Sequence, residues 1–116
     1  VTYRESDALL QTALEDALKI PVRRILYRGD NAHALALYQC TKSEPFYWDD
    51  DELRANRHTY DVDIYARTGH VALVRRAYEA LRAAGFDGIR ELGEDYDDQT
   101  QMYHTLMECS YTEDVD

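Results

Sequence analysis

Leu10, Ala13, Leu14, Ala17 and Leu18 recur at intervals of three and four, which places them on one stripe of an α-helix. Glu5, Asp7, Glu15, Asp16 and Lys19 fall mostly off that stripe. Thr2 with Glu5 has the spacing of a capping box, and Ser6 is a rival cap. Pro21 ends the run, because it disfavours a helical conformation at Ile20. Residues 22–27 form a short mixed stretch that predicts a strand, and Arg28, Gly29, Asp30 and Asn31 carry turn chemistry. Residues 33–40 predict a second strand, with Leu35 and Leu37 on one face and Ala34, Ala36, Tyr38 and Cys40 on the other.

Residues 41–57 read as a long polar connection holding one dense aromatic knot, Phe46, Tyr47 and Trp48, followed by the acidic run 49–52. Period two then returns. Tyr60, Val62, Ile64 and Ala66 alternate with Thr59, Asp61, Asp63 and Tyr65, the clearest strand in the chain. Asp61 and Asp63 share its outward face. After Thr68 and Gly69, the stripe Val71, Val74, Tyr78 and Leu81 with Ala77 and Ala84 predicts a second helix. Gly85 stands where a left-handed residue closes one. Residues 86–92 predict a strand, 93–98 an acidic turn, 102–111 a closing strand and 112–116 a polar tail. The order α-β-β-β-α-β-β keeps strands in runs. It therefore predicts one α+β domain over residues 1–116, a mainly antiparallel sheet with two helices packed on one face.

Charge changes this picture more than composition does. With 45% hydrophobic and 31% charged residues the 116-residue chain is ordinary for a globular domain. Thirteen basic residues against twenty-three acidic ones, however, leave a formal charge of −10. Such a surface repels phosphate, which counts against direct nucleic-acid or anionic-membrane binding. The same charge also serves plain solubility. Cys40 and Cys109 are far apart in strand-like stretches, which suits buried free thiols rather than a disulfide framework or a zinc site. No apolar run approaches the roughly 20 residues of a membrane span, and the start lacks a signal-peptide pattern. The expectation is a protein made and used inside a cell.

The search for chemistry yields little. The acidic runs 49–52 and 94–98 do not match a calcium loop, which needs ligands at alternate positions, a central Gly and a closing Glu. Asp61 and Asp63 can be read as metal ligands or an acid–base pair, but alternating charge on a solvent face accounts for them equally. His33, His58, His70 and His104 are scattered without metal-binding spacing, and no nucleophile elbow or phosphate loop occurs. No cofactor and no catalytic residue is expected.

Ten tyrosines against two phenylalanines and one tryptophan are the compositional oddity. Tyrosine suits surfaces that are wet before assembly and buried after it. Phe46, Tyr47 and Trp48 lie where no small core needs them, so they are expected to meet a partner, as are Asp61 and Asp63.

The order of segments resembles that of the tail terminator proteins of long-tailed bacteriophages, also called tail-completion or tail-to-head joining proteins. The likeness rests on the strand 60–67 with its Val62, Asp63, Ile64 and Tyr65, the helix 73–84 closed by Gly85 and Phe86, and the acidic turn 94–100. The closing strand with Met102, Tyr103 and His104, and the opening helix followed by Ile20, Pro21 and Val22, extend it over almost the whole chain. Residues 46–57 match no family pattern. The resemblance implies a homo-oligomeric ring, a hexamer, that caps the tail tube as its polymerisation stops and presents a surface to the head connector. Its partners would be itself, the tail-tube protein and the connector or neck protein. DNA would pass through the lumen without specific binding, and an acidic lining would keep phosphates from sticking. The implied location is the virion's tail-head joint, after assembly in the host cytoplasm. Three rival readings are a head-completion or neck protein docked on the portal, a small acidic inhibitor or adaptor, and a metal-dependent enzyme using Asp61 and Asp63.

Overall fold

A computed structural model describes residues 4–24 and 33–114. Two helices, α1 (Glu5–Leu18) and α2 (His70–Ala83), cover one face of a five-stranded sheet. The strands are β1 (Val22–Arg24), β2 (Ala34–Asp49), β3 (Glu52–Ala66), β4 (Asp87–Asp97) and β5 (Met102–Asp114), in the spatial order β1-β2-β3-β5-β4. Only β1 and β2 run parallel; every other pairing is antiparallel. The element order and class are those the hydrophobic pattern predicts. The turn expected at residues 28–31 and the end of the first predicted strand lie outside the described residues.

The helical stripes form the core as spaced. Leu10, Leu14 and Leu18 of α1 and Leu73, Ala77 and Leu81 of α2 are buried against Ala36, Tyr38, Tyr60, Val62, Ile64, Met107 and Cys109 of the sheet. Each fully buried leucine contributes roughly 1.5–3 kcal/mol. Helix α1 begins at Arg4, whose backbone N–H donates to the Asp7 carboxylate at 3.3 Å. The capping box is formed by Arg4 and Asp7, while Thr2, matched with Glu5 in the sequence, lies outside the described residues. Ser6, offered as a rival cap, instead turns inward, and its hydroxyl meets the Tyr60 hydroxyl at 2.6 Å. Tyr60 also donates a short hydrogen bond to Asp7, which is buried beneath α1 within 4.0 Å of Arg24.

Gly85 closes α2 as predicted, with φ +98°. Its N–H reaches the Arg82 carbonyl at 3.1 Å, and the Phe86 N–H reaches Leu81 at 3.0 Å, the paired bonds of a Schellman ending. Phe86 is buried in the core beside Tyr60 and Tyr111 and precedes β4 rather than starting it.

Three boundaries differ from the sequence reading. The predicted polar connection over 41–57 is strand almost throughout: β2 and β3 continue past the body as one hairpin, reversed at Asp50 and Asp51. Both aspartates have left-handed φ, +51° and +65°, as a two-residue hairpin turn of the primed type requires. Register shifts between Cys40 and Lys42 and on both sides of Tyr47 break the period-two pattern, so the strand did not show as alternation. The acidic turn expected at 93–98 is mostly strand, since β4 runs to Asp97 and pairs with β5. The polar tail also joins the sheet, Thr112 to Asp114 pairing with Arg57 to Ala55. The molecule is consequently long, 53 × 28 × 23 Å.

Strand β4 is one edge of the sheet, exposed along most of its length, with register shifts between Asp87 and Arg90 and between Glu91 and Gly93. Among the described residues no helix is long and apolar enough to cross a membrane.

Candidate functional site

The hairpin arm carries the aromatic knot. Between Tyr60 and the turn, β3 runs eight residues, about 26 Å at strand rise. The root of this arm is braced from three strands. Ser43 on β2 meets His58 Nδ1 at 2.8 Å, and His58 Nε2 faces Glu113 on β5 at 3.4 Å. Arg57 donates to Thr112 Oγ1 at 3.1 Å and pairs with Asp87 at 2.5 Å. Thr59 and Ser110 hydroxyls meet at 3.1 Å. Beyond this bracing, Trp48 pairs with Leu53, and Tyr47 with Ala55. Phe46 lies under the Arg57 guanidinium at 5.3 Å.

Phe46, Tyr47 and Trp48 are nevertheless 58%, 55% and 56% exposed. Three adjacent aromatic side chains held on a braced strand differ from aromatics on a wandering loop, because little entropy remains to be lost when a partner covers them. Beyond them stand Asp49, Asp50, Asp51 and Glu52. Arg54 pairs with Glu52 at 3.1 Å and approaches Asp49 at 3.9 Å.

Asp61 and Asp63 lie elsewhere, on the helix-free face of the sheet body, where the sequence pattern put them. They are half-buried rather than freely solvated. Asp61 stands opposite Gln39 and Glu108, and Asp63 opposite Leu37 and Leu106. Desolvation by its neighbours, and then the charges of Asp63 and Glu108, hold the Asp61 carboxyl above the usual aspartate range. Arg90 relieves part of this density by reaching Glu108 at 2.7 Å.

Asp63 has a partner that the sequence did not reveal. His104 Nε2 is 2.6 Å from its carboxylate, while Nδ1 faces Asp95 at 3.4 Å and the ring stacks on Tyr65 at 4.4 Å. A neutral imidazole donates to one of these carboxylates at a time, and an imidazolium to both. Burial and then the nearby Asp63, Asp95 and Asp97 raise the Tyr65 phenol above its ordinary range. At the neighbouring corner His70 stacks on Tyr103 at 4.1 Å and meets Glu94 at 2.9 Å. Histidines scattered in sequence thus become paired in space, through a register that no local motif encodes.

Asp61 and Asp63 are adjacent to each other, and the aromatic knot stands away from both on the arm. Among the described residues no three His, Cys, Asp or Glu side chains converge as a metal site. Cys109 is buried in the core, where desolvation pushes its thiol up to about 12, far from the thiolate a nucleophile needs. Cys40 is a half-exposed free thiol at the base of the arm. No protein-family model matches the chain, and no curated protein matches it in sequence.

Proposed function

We propose that this chain is a structural protein of a long-tailed bacteriophage virion, one that caps the tail tube, ends its polymerisation and joins it to the head connector. It acts as a homo-oligomeric ring, a hexamer, by binding alone and without catalysis. The single observation that carries the reading is the braced arm. A two-layer body complete in itself projects three adjacent aromatic rings into solvent, and exposed apolar clusters of that kind mark protein contacts. The order of segments, which resembles that of tail terminators, supplies the kind of contact. The −10 charge fits a ring around passing DNA, because an acidic bore does not retain phosphate.

The test is deletion of the gene followed by electron microscopy of the lysate. Tails of uncontrolled length, restored by the gene in trans, are expected. Normal tails beside leaky heads would instead assign a head-completion role, and intact infectious particles would overturn a virion role altogether.

A further inference from the structure

The root of the arm holds a hydroxyl, an imidazole and a carboxylate in line, each on a different strand. Ser43 on β2 is exposed, His58 on β3 is only 6% exposed, and Glu113 on β5 stands behind it. A brace needs only that such groups touch. The protons of this one have a direction. An ionised carboxylate can only accept a hydrogen bond, so the 3.4 Å contact between Glu113 Oε2 and His58 Nε2 puts the ring proton on Nε2. Nδ1 is then a bare lone pair 2.8 Å from Ser43 Oγ, and the Ser43 hydroxyl donates to it. Hydroxyl to base and base to orienting carboxylate is the polarity of an activated nucleophile.

A backbone irregularity makes the placement possible. Cys40 and Ser43 are three positions apart and would face opposite sides of a regular strand. The register shift between Cys40 and Lys42 turns Ser43 onto the face of His58, where its oxygen lies 3.5 Å from the Cys40 sulfur. Glu113 adds a second asymmetry, because its other oxygen, Oε1, is buried and hydrogen-bonds nothing among the described residues. His58 is therefore the sole hydrogen-bond partner of this carboxylate there. Positive charge arriving on the ring is met by a negative charge that no other donor satisfies.

We infer that Ser43 is a nucleophilic serine, a covalent modification site for an activated acyl ester, with His58 as its base and Glu113 as the positioning residue behind the ring. Ser43 Oγ attacks the ester carbonyl and forms the new C–O bond. Its proton passes to His58 Nδ1, the bond from the carbonyl carbon to the leaving alkoxide or phenoxide breaks, and His58 returns the proton to that leaving group. The event is one acylation per chain, separate from the assembly role proposed above.

The test treats the folded full chain with p-nitrophenyl acetate and with a fluorophosphonate probe, whose phosphorus a serine oxygen attacks with loss of fluoride. Intact mass should show a single adduct, peptide mapping should place it on Ser43, and unfolding in urea should abolish it. Ser43→Ala should take no adduct, and Cys40→Ala should react as the wild type does. His58→Gln should react about a hundredfold more slowly, since a general base contributes about 10²–10⁴. Glu113→Gln should also slow the reaction, with circular dichroism confirming that each variant is folded. The wild-type rate should rise with pH and level off once the imidazole is neutral. A native chain that takes no adduct, an adduct on Cys40 or a tyrosine instead, or a rate that follows hydroxide without levelling would overturn the assignment. The tail-length phenotype is untouched by any of these results.

Discussion

Replacing Tyr60 by Phe removes one oxygen atom from the core and tests how α1 is held. The ring stays, so its edge contact with Phe86, 6.1 Å between centroids, and its packing against Tyr38 survive. Two hydrogen bonds are lost, to the Ser6 hydroxyl and to the Asp7 carboxylate. A bond to a charged acceptor contributes about 1.5–3 kcal/mol, and a buried hydroxyl left without a partner costs about 1 kcal/mol or more. Asp7 keeps Arg4 at 3.3 Å, which caps the loss. The expected cost is therefore about 2–3 kcal/mol, or roughly 10 °C in Tm for a domain of this size. Urea denaturation of Tyr60→Phe, Asp7→Ala and the double variant measures it. The double variant should fall short of additivity by about 1–2 kcal/mol, since both changes remove the same bond. A single-variant cost under about 0.5 kcal/mol, or strict additivity, would refute the reasoning, because the hydroxyl would then contribute nothing specific to Asp7.

Three other outcomes follow from the same geometry. Asp61→Asn should stabilise the protein at pH 7: the folded-state pKa is raised, so ionisation opposes folding at every pH above it. That advantage should fade as pH falls through the raised value and vanish below roughly pH 4, where the wild-type carboxyl is protonated in both states; denaturation midpoints across pH measure it, and an advantage that grows on acidification would contradict the sign. Gly85→Ala should cost about 1 kcal/mol or more by thermal unfolding, because φ +98° strains any side chain, although Tyr111 at 3.5 Å leaves room for the methyl itself. Asp51→Gly should raise stability by about 0.5–1 kcal/mol, since glycine adopts φ +65° without strain, and an unchanged midpoint would argue against the primed turn.

The parts of the fold legible in sequence are those whose side chains sort cleanly by period. Leu10, Leu14 and Leu18 announce α1, and Tyr60, Val62, Ile64 and Ala66 announce the core face of β3. The arm escaped because its alternation is interrupted three times by register shifts, and because Asp50 and Asp51 fill a turn that more often shows Asn and Gly. Of the expected contact residues, Phe46, Tyr47 and Trp48 are exposed, but on strand β2 rather than in the loop expected from sequence. The His104–Asp63 pair was invisible in principle, since it depends on which residues of β3 and β5 stand side by side, forty-one positions apart in the chain. The buried Ser6–Tyr60–Asp7 cluster was hidden for the same reason. Polar residues at helix starts read as caps until a tertiary partner claims them.

The exposed edge strand β4 bears on how copies of this chain behave toward one another at high concentration. An eleven-residue strand with free backbone groups invites any other strand to add to it, and uncontrolled addition yields fibres. Here two register shifts kink that border, and Glu91, Glu94, Asp95 and Asp97 load it with like charge. Two copies meeting border to border would repel one another. Backbone pairing between copies is therefore disfavoured, which leaves any contact between them to side-chain surfaces.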